Sequence, residues 1–226
     1  MVVVGDPGVG KSTLLDDAVE SAGGFLVLRT TGFEMESDLP FAGLSAILAP
    51  VANIIPTIPA PQAAALTGAL GLGDPAPAGD RFTVYAGALS VLAEAALKQP
   101  LLVIVDDGHW VDPASVDALC FVARRIVAEG IMILMASRDD PTTLLRRAGG
   151  LTQLRLEGLS GDAAAELVAG TAGRIVSAST VARLIAETGG NPLIVGGCPA
   201  PGWTAAALSC GRVPGSAACA RRPPRT

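Results

Sequence analysis

The chain has 226 residues, half of them hydrophobic, with a formal net charge of -5 and one histidine. That length supports one full α/β core and the start of a smaller second unit, and leaves little room for two sizeable domains. The acidic balance, with a pI near 4.9, argues against direct nucleic-acid binding and against anionic membranes, and a single histidine excludes a His–His metal centre.

In chain order, the first element is an apolar strand, "VVV" at 2 to 4, which runs into "GDPGVGKS" at 5 to 12. This matches G-x-x-x-x-G-K-[ST] between a strand and a helix, where its mechanism requires it to stand. Glycines let the loop wrap so that successive backbone N–H groups face phosphate oxygens, and the next helix adds its own N–H groups and positive dipole end. Gly5, Asp6, Pro7, Gly8, Val9 and Gly10 form the expected cradle. Lys11 is placed to reach the β- and γ-phosphates, Ser12 to put its hydroxyl on magnesium, and Thr13 to lie toward the α-phosphate. A glycine-rich turn that merely joins strand to helix is the plainer alternative.

Leu14, Leu15, Ala18, Val19 and Ala22 then mark one face of a helix, and "FLVLRT" at 25 to 30 a buried strand. Residues 56 to 80, rich in proline, glycine and alanine, predict a short helix flanked by loops. "RFTVYAGALSVLAEAALKQ" at 81 to 99 predicts a long amphipathic helix ending before Pro100. The next strand, "LLVIVD" at 101 to 106, delivers two acids at its C-terminal end. Asp106 is the expected magnesium ligand, through water, and Asp107 the group that orients or activates the attacking water. A capped strand end followed by a turn is the bland reading of the same residues. His109 reads as a structural hydrogen-bonder rather than a base, Trp110 as packing, and Asp112-Pro113 as the capped start of a helix.

"IMILMAS" at 131 to 137 is a further buried strand, and Arg138 just beyond it is either a γ-phosphate sensor or a solvated loop arginine. "LTQLRLE" at 151 to 157 alternates, as an edge strand does. Strands alternating with helical patterns predict an α/β fold, a three-layer αβα P-loop NTPase with a mainly parallel five-stranded sheet. "LSGDAAAELVAGTAG" and "SASTVARLIAETGG" predict two short helices, capped by Ser160 and by Ser177 or Ser179. From 195 to 226 periodicity fails, no acidic residue occurs, and disorder is expected; a shifted reading frame would explain that text.

Mean hydropathy is +0.50, yet every apolar run breaks short of the ~18 to 20 residues a membrane span needs. Met1 enters the valines with no basic leader, so the cytoplasm is expected. The four cysteines form no C-x-x-C pair.

Five stretches together carry a family resemblance: "GDPGVGKSTLL", "ESDLPFAGLSAILAP" at 36 to 50, "LLVIVDDGHWVDPASVDAL" at 101 to 119, "SRDD" at 137 to 140 and "ETGGNPL" at 187 to 193. The chain resembles the signal-transduction ATPases with numerous domains (STAND), a branch of the AAA-like P-loop ATPases, and more narrowly the nucleotide-binding domain of large LuxR-type transcriptional regulators. The resemblance implies an ATP-driven switch with ATP or ADP and Mg2+ as ligands, Lys11 and Asp107 in catalytic positions, Arg138 as sensor and Pro192 near the adenine. It divides the chain into a core at 1 to 158, a partial helical or winged-helix lid at 159 to 194 and the tail, and implies self-association through the ATPase domain. Met1 opens inside the first strand and the match stops near Ile194, so a truncated member without its DNA-binding output domain is expected. The alternative is a non-catalytic nucleotide-binding or interaction module. A transport-type ATPase, prompted by "LSGD" at 159 to 162, is disfavoured because its signature belongs before the acidic strand, and a small-molecule kinase lacks an acceptor-site motif.

Overall fold

The computed structural model describes residues 1–73, 81–126, 130–139, 143–172 and 176–197. Strands β1 (Val2–Val4), β2 (Leu26–Thr31), β3 (Leu101–Asp106), β4 (Ile131–Ser137) and β5 (Gln153–Arg155) form a five-stranded sheet in the order β2-β3-β4-β1-β5. Every pairing is parallel. Three of the continuous apolar runs, β1, β3 and β4, are the inner strands, and all residues of β3 are buried. The fourth, β2, expected as a buried strand, is instead the other edge, paired on one side only, with Leu28 and Thr30 as its buried residues. The alternating run forms the exposed edge strand β5.

Alternation along β3 sorts its side chains between two cores. Leu102 and Ile104 join Val3, Leu134 and Ala136 against Leu15, with Leu14, Ala18, Val19 and Ala22 packed around them, so helix α1 (Lys11–Ser21) covers that face. Leu101, Val103 and Val105 point the other way, into a larger core built with α2 (Ala42–Leu48), a 3-10 stretch Ala49–Thr57, α3 (Ala60–Ala69), α4 (Arg81–Ala96) and α5 (Pro113–Ala123). The result is the three-layer αβα arrangement. In α4 the buried residues are Val84, Gly87, Ala88, Val91, Leu92 and Ala95, spaced by three and four as one helix face demands. Helix α6 (Thr143–Arg147) lies between β4 and β5 in the chain.

The backbone forms two compact units, Met1–Leu156 and a second that begins at Glu157. The second unit contains α7 (Gly161–Ala172), α8 (Ala178–Thr188) and α9 (Pro192–Gly196), packed around Ala164, Val168, Val181 and Val195. Ser177 caps α8 by accepting from the Thr180 N–H. The "GGNPL" stretch reverses the chain between two helices. Gly189 closes α8 in the left-handed region, and Asn191 caps α9 ahead of Pro192. Val195 and Gly196 thus complete a helix inside the stretch expected to be disordered, and the rest of that expectation, from 198 on, lies outside the described residues. So do residues 74–80 of the proline-rich segment, whose helix is α3.

Candidate functional site

Because all five strands are parallel, their C-terminal ends open on one edge, and the registers bring the sequence-predicted residues to it. Val4 pairs with Ser137, which sets Gly5 beside Arg138. Val105 pairs with Met135 and Thr31 with Asp106, so Asp106 and Asp107 emerge between β2 and β4.

The loop from Gly5 to Gly10 turns directly into α1. Gly10, at φ 102, occupies the left-handed region and starts the helix without a side-chain cap, so the amides of the first turn keep no side chain of their own in front of them. Gly5 is tightly enclosed: a methyl group there would meet the Leu156 carbonyl oxygen and Val9 Cγ1, each at 2.8 Å. Val9 is buried as the loop's anchor, while Asp6, Pro7, Ser12 and Thr13 are exposed.

Lys11 is the buried cation of the site, 8% exposed, and its Nζ donates to the Gly5 and Asp6 carbonyl oxygens at 2.8 Å each. Burial first of all holds its ammonium below the ordinary lysine range of 10.5; Asp107 and Asp106 push it up, and Arg138 pushes it down. Lys11 therefore shares one electrostatic neighbourhood with both acids and the arginine.

Asp106 is nearly buried, and its Oδ1 accepts from the Asp107 N–H at 2.9 Å. Its Oδ2 faces the Arg29 guanidinium at 3.6 Å, and Arg29 in turn donates to Asp16 Oδ1 at 2.6 Å. Asp107 stands at φ 45, a left-handed conformation rare for a residue with a side chain. His109 is buried with Nδ1 3.9 Å from Asp107 Oδ1, and its ring lies 5.0 Å from that of Trp110. The Arg138 guanidinium lies 6.0 Å from the Trp110 ring centroid.

These groups fit a magnesium-bound polyphosphate. A hydroxyl and a carboxylate are the hard oxygen donors magnesium selects when substrate phosphates complete its shell. Among the described residues no group of three or more His, Cys, Asp or Glu side chains is placed to hold a metal ion. The structure brings together the Gly5–Thr13 loop, Asp106, Asp107 and Arg138. Pro192 belongs to the second unit, where it is the first residue of α9.

Two features escaped the sequence. Arg29 and Asp16 were not singled out, although a charge within "FLVLRT" and an acid four residues after Ser12 on one helix are legible signals. Asp112 caps two helices rather than one: it accepts from the Ser115 N–H of α5 and from the Phe41 and Gly43 N–H groups at the start of α2.

The parallel sheet and the glycine loop feeding α1 define a P-loop nucleotide-binding fold. Residues 1–134 match the AAA ATPase domain family, and the chain belongs to it. That membership implies nucleotide binding, usually with Mg2+, and often oligomerisation. Among solved structures the chain is similar to a STAND protein with a tetratricopeptide repeat sensor from Pyrococcus horikoshii, at TM-score 0.52 and 19% identity over 86% of this chain and 26% of that one. Cdc6p from Pyrobaculum aerophilum is matched at TM-score 0.47 and 15% identity, over 86% of this chain and 52% of that one. The chain thus spans about a quarter of the length of the STAND protein, a likeness of fold. No curated protein matches it. No helix among the described residues is long and apolar enough to cross a membrane.

Proposed function

We propose that this chain is the nucleotide switch of a STAND-type regulator related to the large LuxR-type transcriptional regulators, binding ATP with Mg2+ and hydrolysing it slowly. The observation that carries the reading is the convergence on Lys11: one buried ammonium, at the mouth of an amide-lined loop, under the influence of Asp107, Arg138 and Asp106 together. The Gly5–Gly10 loop and the first turn of α1 supply N–H donors to the phosphates, and Lys11 exchanges loop carbonyls for phosphate oxygens. Magnesium, when bound, neutralises and orients the phosphate tail; Ser12 and Asp106 are the oxygens that would hold it. Asp107 orients the attacking water, and Arg138, steadied over Trp110, compensates charge on the γ-phosphate.

The test is calorimetric titration of the purified chain with ATP and with ADP, each with and without Mg2+, beside its Lys11→Ala variant. The wild type should bind Mg-ATP, and the variant should lose about 10- to 100-fold in affinity, the worth of a charge-assisted phosphate contact. Equal affinities in the two proteins would overturn the reading. Phosphate release under saturating Mg-ATP distinguishes a hydrolysing switch from a module that only binds.

A further inference from the structure

Asp16 and Arg29 stand outside the phosphate machinery yet touch it. Arg29 pairs in register with Ile104, two residues before Asp106. Alternation therefore sends Ile104 and Asp106 to the face covered by α1, where Ile104 packs in the Leu15 core. Arg29 leaves β2 on the same face, since its guanidinium meets Asp16 of α1. Asp16 follows Ser12 by four residues, so both stand on one side of α1. One ion pair thus links α1, the helix that carries Ser12, to the Asp106 carboxylate of β3.

The distances rank its contacts. Arg29 makes a hydrogen bond to Asp16 at 2.6 Å but stands 3.6 Å from Asp106 Oδ2, beyond hydrogen-bonding range. Arg29 and Asp16 are 39% and 53% exposed at their side chains, free enough to swing, whereas Asp106 is nearly buried and fixed by its bond to the Asp107 amide.

We propose that the Asp16–Arg29 pair sets how tightly the nucleotide's magnesium is held: Arg29 is a positioning residue that competes with the cation for the Asp106 carboxylate, and Asp16 restrains it. A guanidinium beside a carboxylate lowers that carboxylate's affinity for a second cation. The anion on Asp16 draws the guanidinium away and offsets its charge. The inference rests on the Mg-ATP reading above and deepens it.

The two partners should act with opposite signs, which a merely structural role for the pair does not produce. ATP affinity of the full chain is measured by calorimetry in excess Mg2+ and in EDTA, and the dissociation constant in EDTA divided by that in Mg2+ reports the magnesium linkage. Arg29→Met should raise that ratio about three- to tenfold, and Asp16→Asn should lower it by a similar factor, the scale of one partly screened charge. Arg29→Lys, which keeps the charge, should stay within about twofold of wild type. Mn2+ in place of Mg2+, followed by electron paramagnetic resonance on ATP-loaded protein, should half-saturate at a lower concentration in Arg29→Met and at a higher one in Asp16→Asn. Circular dichroism confirms that each variant is folded. If the wild type and Lys11→Ala differ as expected but both partner variants shift the ratio the same way, or neither shifts it beyond about twofold, the competition is absent while nucleotide binding stands. A wild type without affinity for ATP in either condition overturns both.

Discussion

Two residues at the site sit where ordinary stability would not put them. Asp107, at φ 45, accepts a left-handed backbone that costs a residue with a side chain about 1 kcal/mol. It is held there by three bonds: its N–H to Asp106 Oδ1, the Trp110 N–H to its carbonyl, and the neighbouring Gly108 N–H to the Ala136 carbonyl. Asp107→Gly should therefore keep or raise stability, by up to about 1 kcal/mol in urea unfolding, while Mg-ATP binding persists and turnover falls. A loss of stability would show that the turn is not strained. Lys11 carries the second cost. Burial lowers its proton affinity below the ordinary 10.5, so between that lowered value and 10.5 the unfolded chain binds more protons than the folded one. Stability from this group accordingly rises with pH across that window. A phosphate tail reverses the sign, because it favours the charged lysine. ATP affinity should fall as pH climbs through the lowered value, with proton uptake visible as different apparent binding heats in two buffers of unlike ionisation enthalpy; Lys11→Ala should show neither.

At the scale of elements, α2 and α5 are joined by one carboxylate. Phe41 begins α2 at φ 64 with no side-chain cap of its own, and the Asp112 carboxylate, 71 residues further along, takes its N–H as well as that of Gly43. Ser115 accepts the Leu44 N–H in the same way. Asp112 is 2% exposed, so Asp112→Ala leaves N–H groups of two helix starts without partners. The expected loss is about 2 to 4 kcal/mol, roughly two caps, read as a lower urea midpoint at unchanged slope, and Asp112→Asn should lose less because it keeps one acceptor. The same arrangement explains what the sequence disclosed. The five strands, α1, α4 and the start of α5 were legible because their signals are local: an apolar run, a three-four spacing, an Asp-Pro pair. The phosphate loop was legible because its chemistry needs contiguous residues. Helix α2 and the 3-10 stretch after it were not, since the cap that starts α2 comes from another element. Arg29 was passed over for a related reason: its partners, Asp16 and Asp106, meet it only when β2, α1 and β3 are assembled.

For the molecule as a whole, net charge and ligand charge have the same sign, -5 against a polyphosphate, so attraction has to come from the local cradle of amides and Lys11 rather than from the overall field. That cradle exists only when β1, α1 and the ends of β3 and β4 are in place, and ligand binding is therefore coupled to folding of the unit Met1–Leu156. At a free Mg-ATP concentration of about 100 times its dissociation constant, the coupling adds about 2.7 kcal/mol. With roughly 2 to 4 °C per kcal/mol for a unit of this size, the melting transition should move up by about 5 to 10 °C. Differential scanning calorimetry at several nucleotide concentrations measures it, and the shift should grow with the logarithm of concentration and shrink in Lys11→Ala, at the same nucleotide concentration, to about 1 to 5 °C, as its 10- to 100-fold weaker binding requires. A transition indifferent to Mg-ATP at any concentration would mean that the loop, however well its residues match, does not grip a triphosphate.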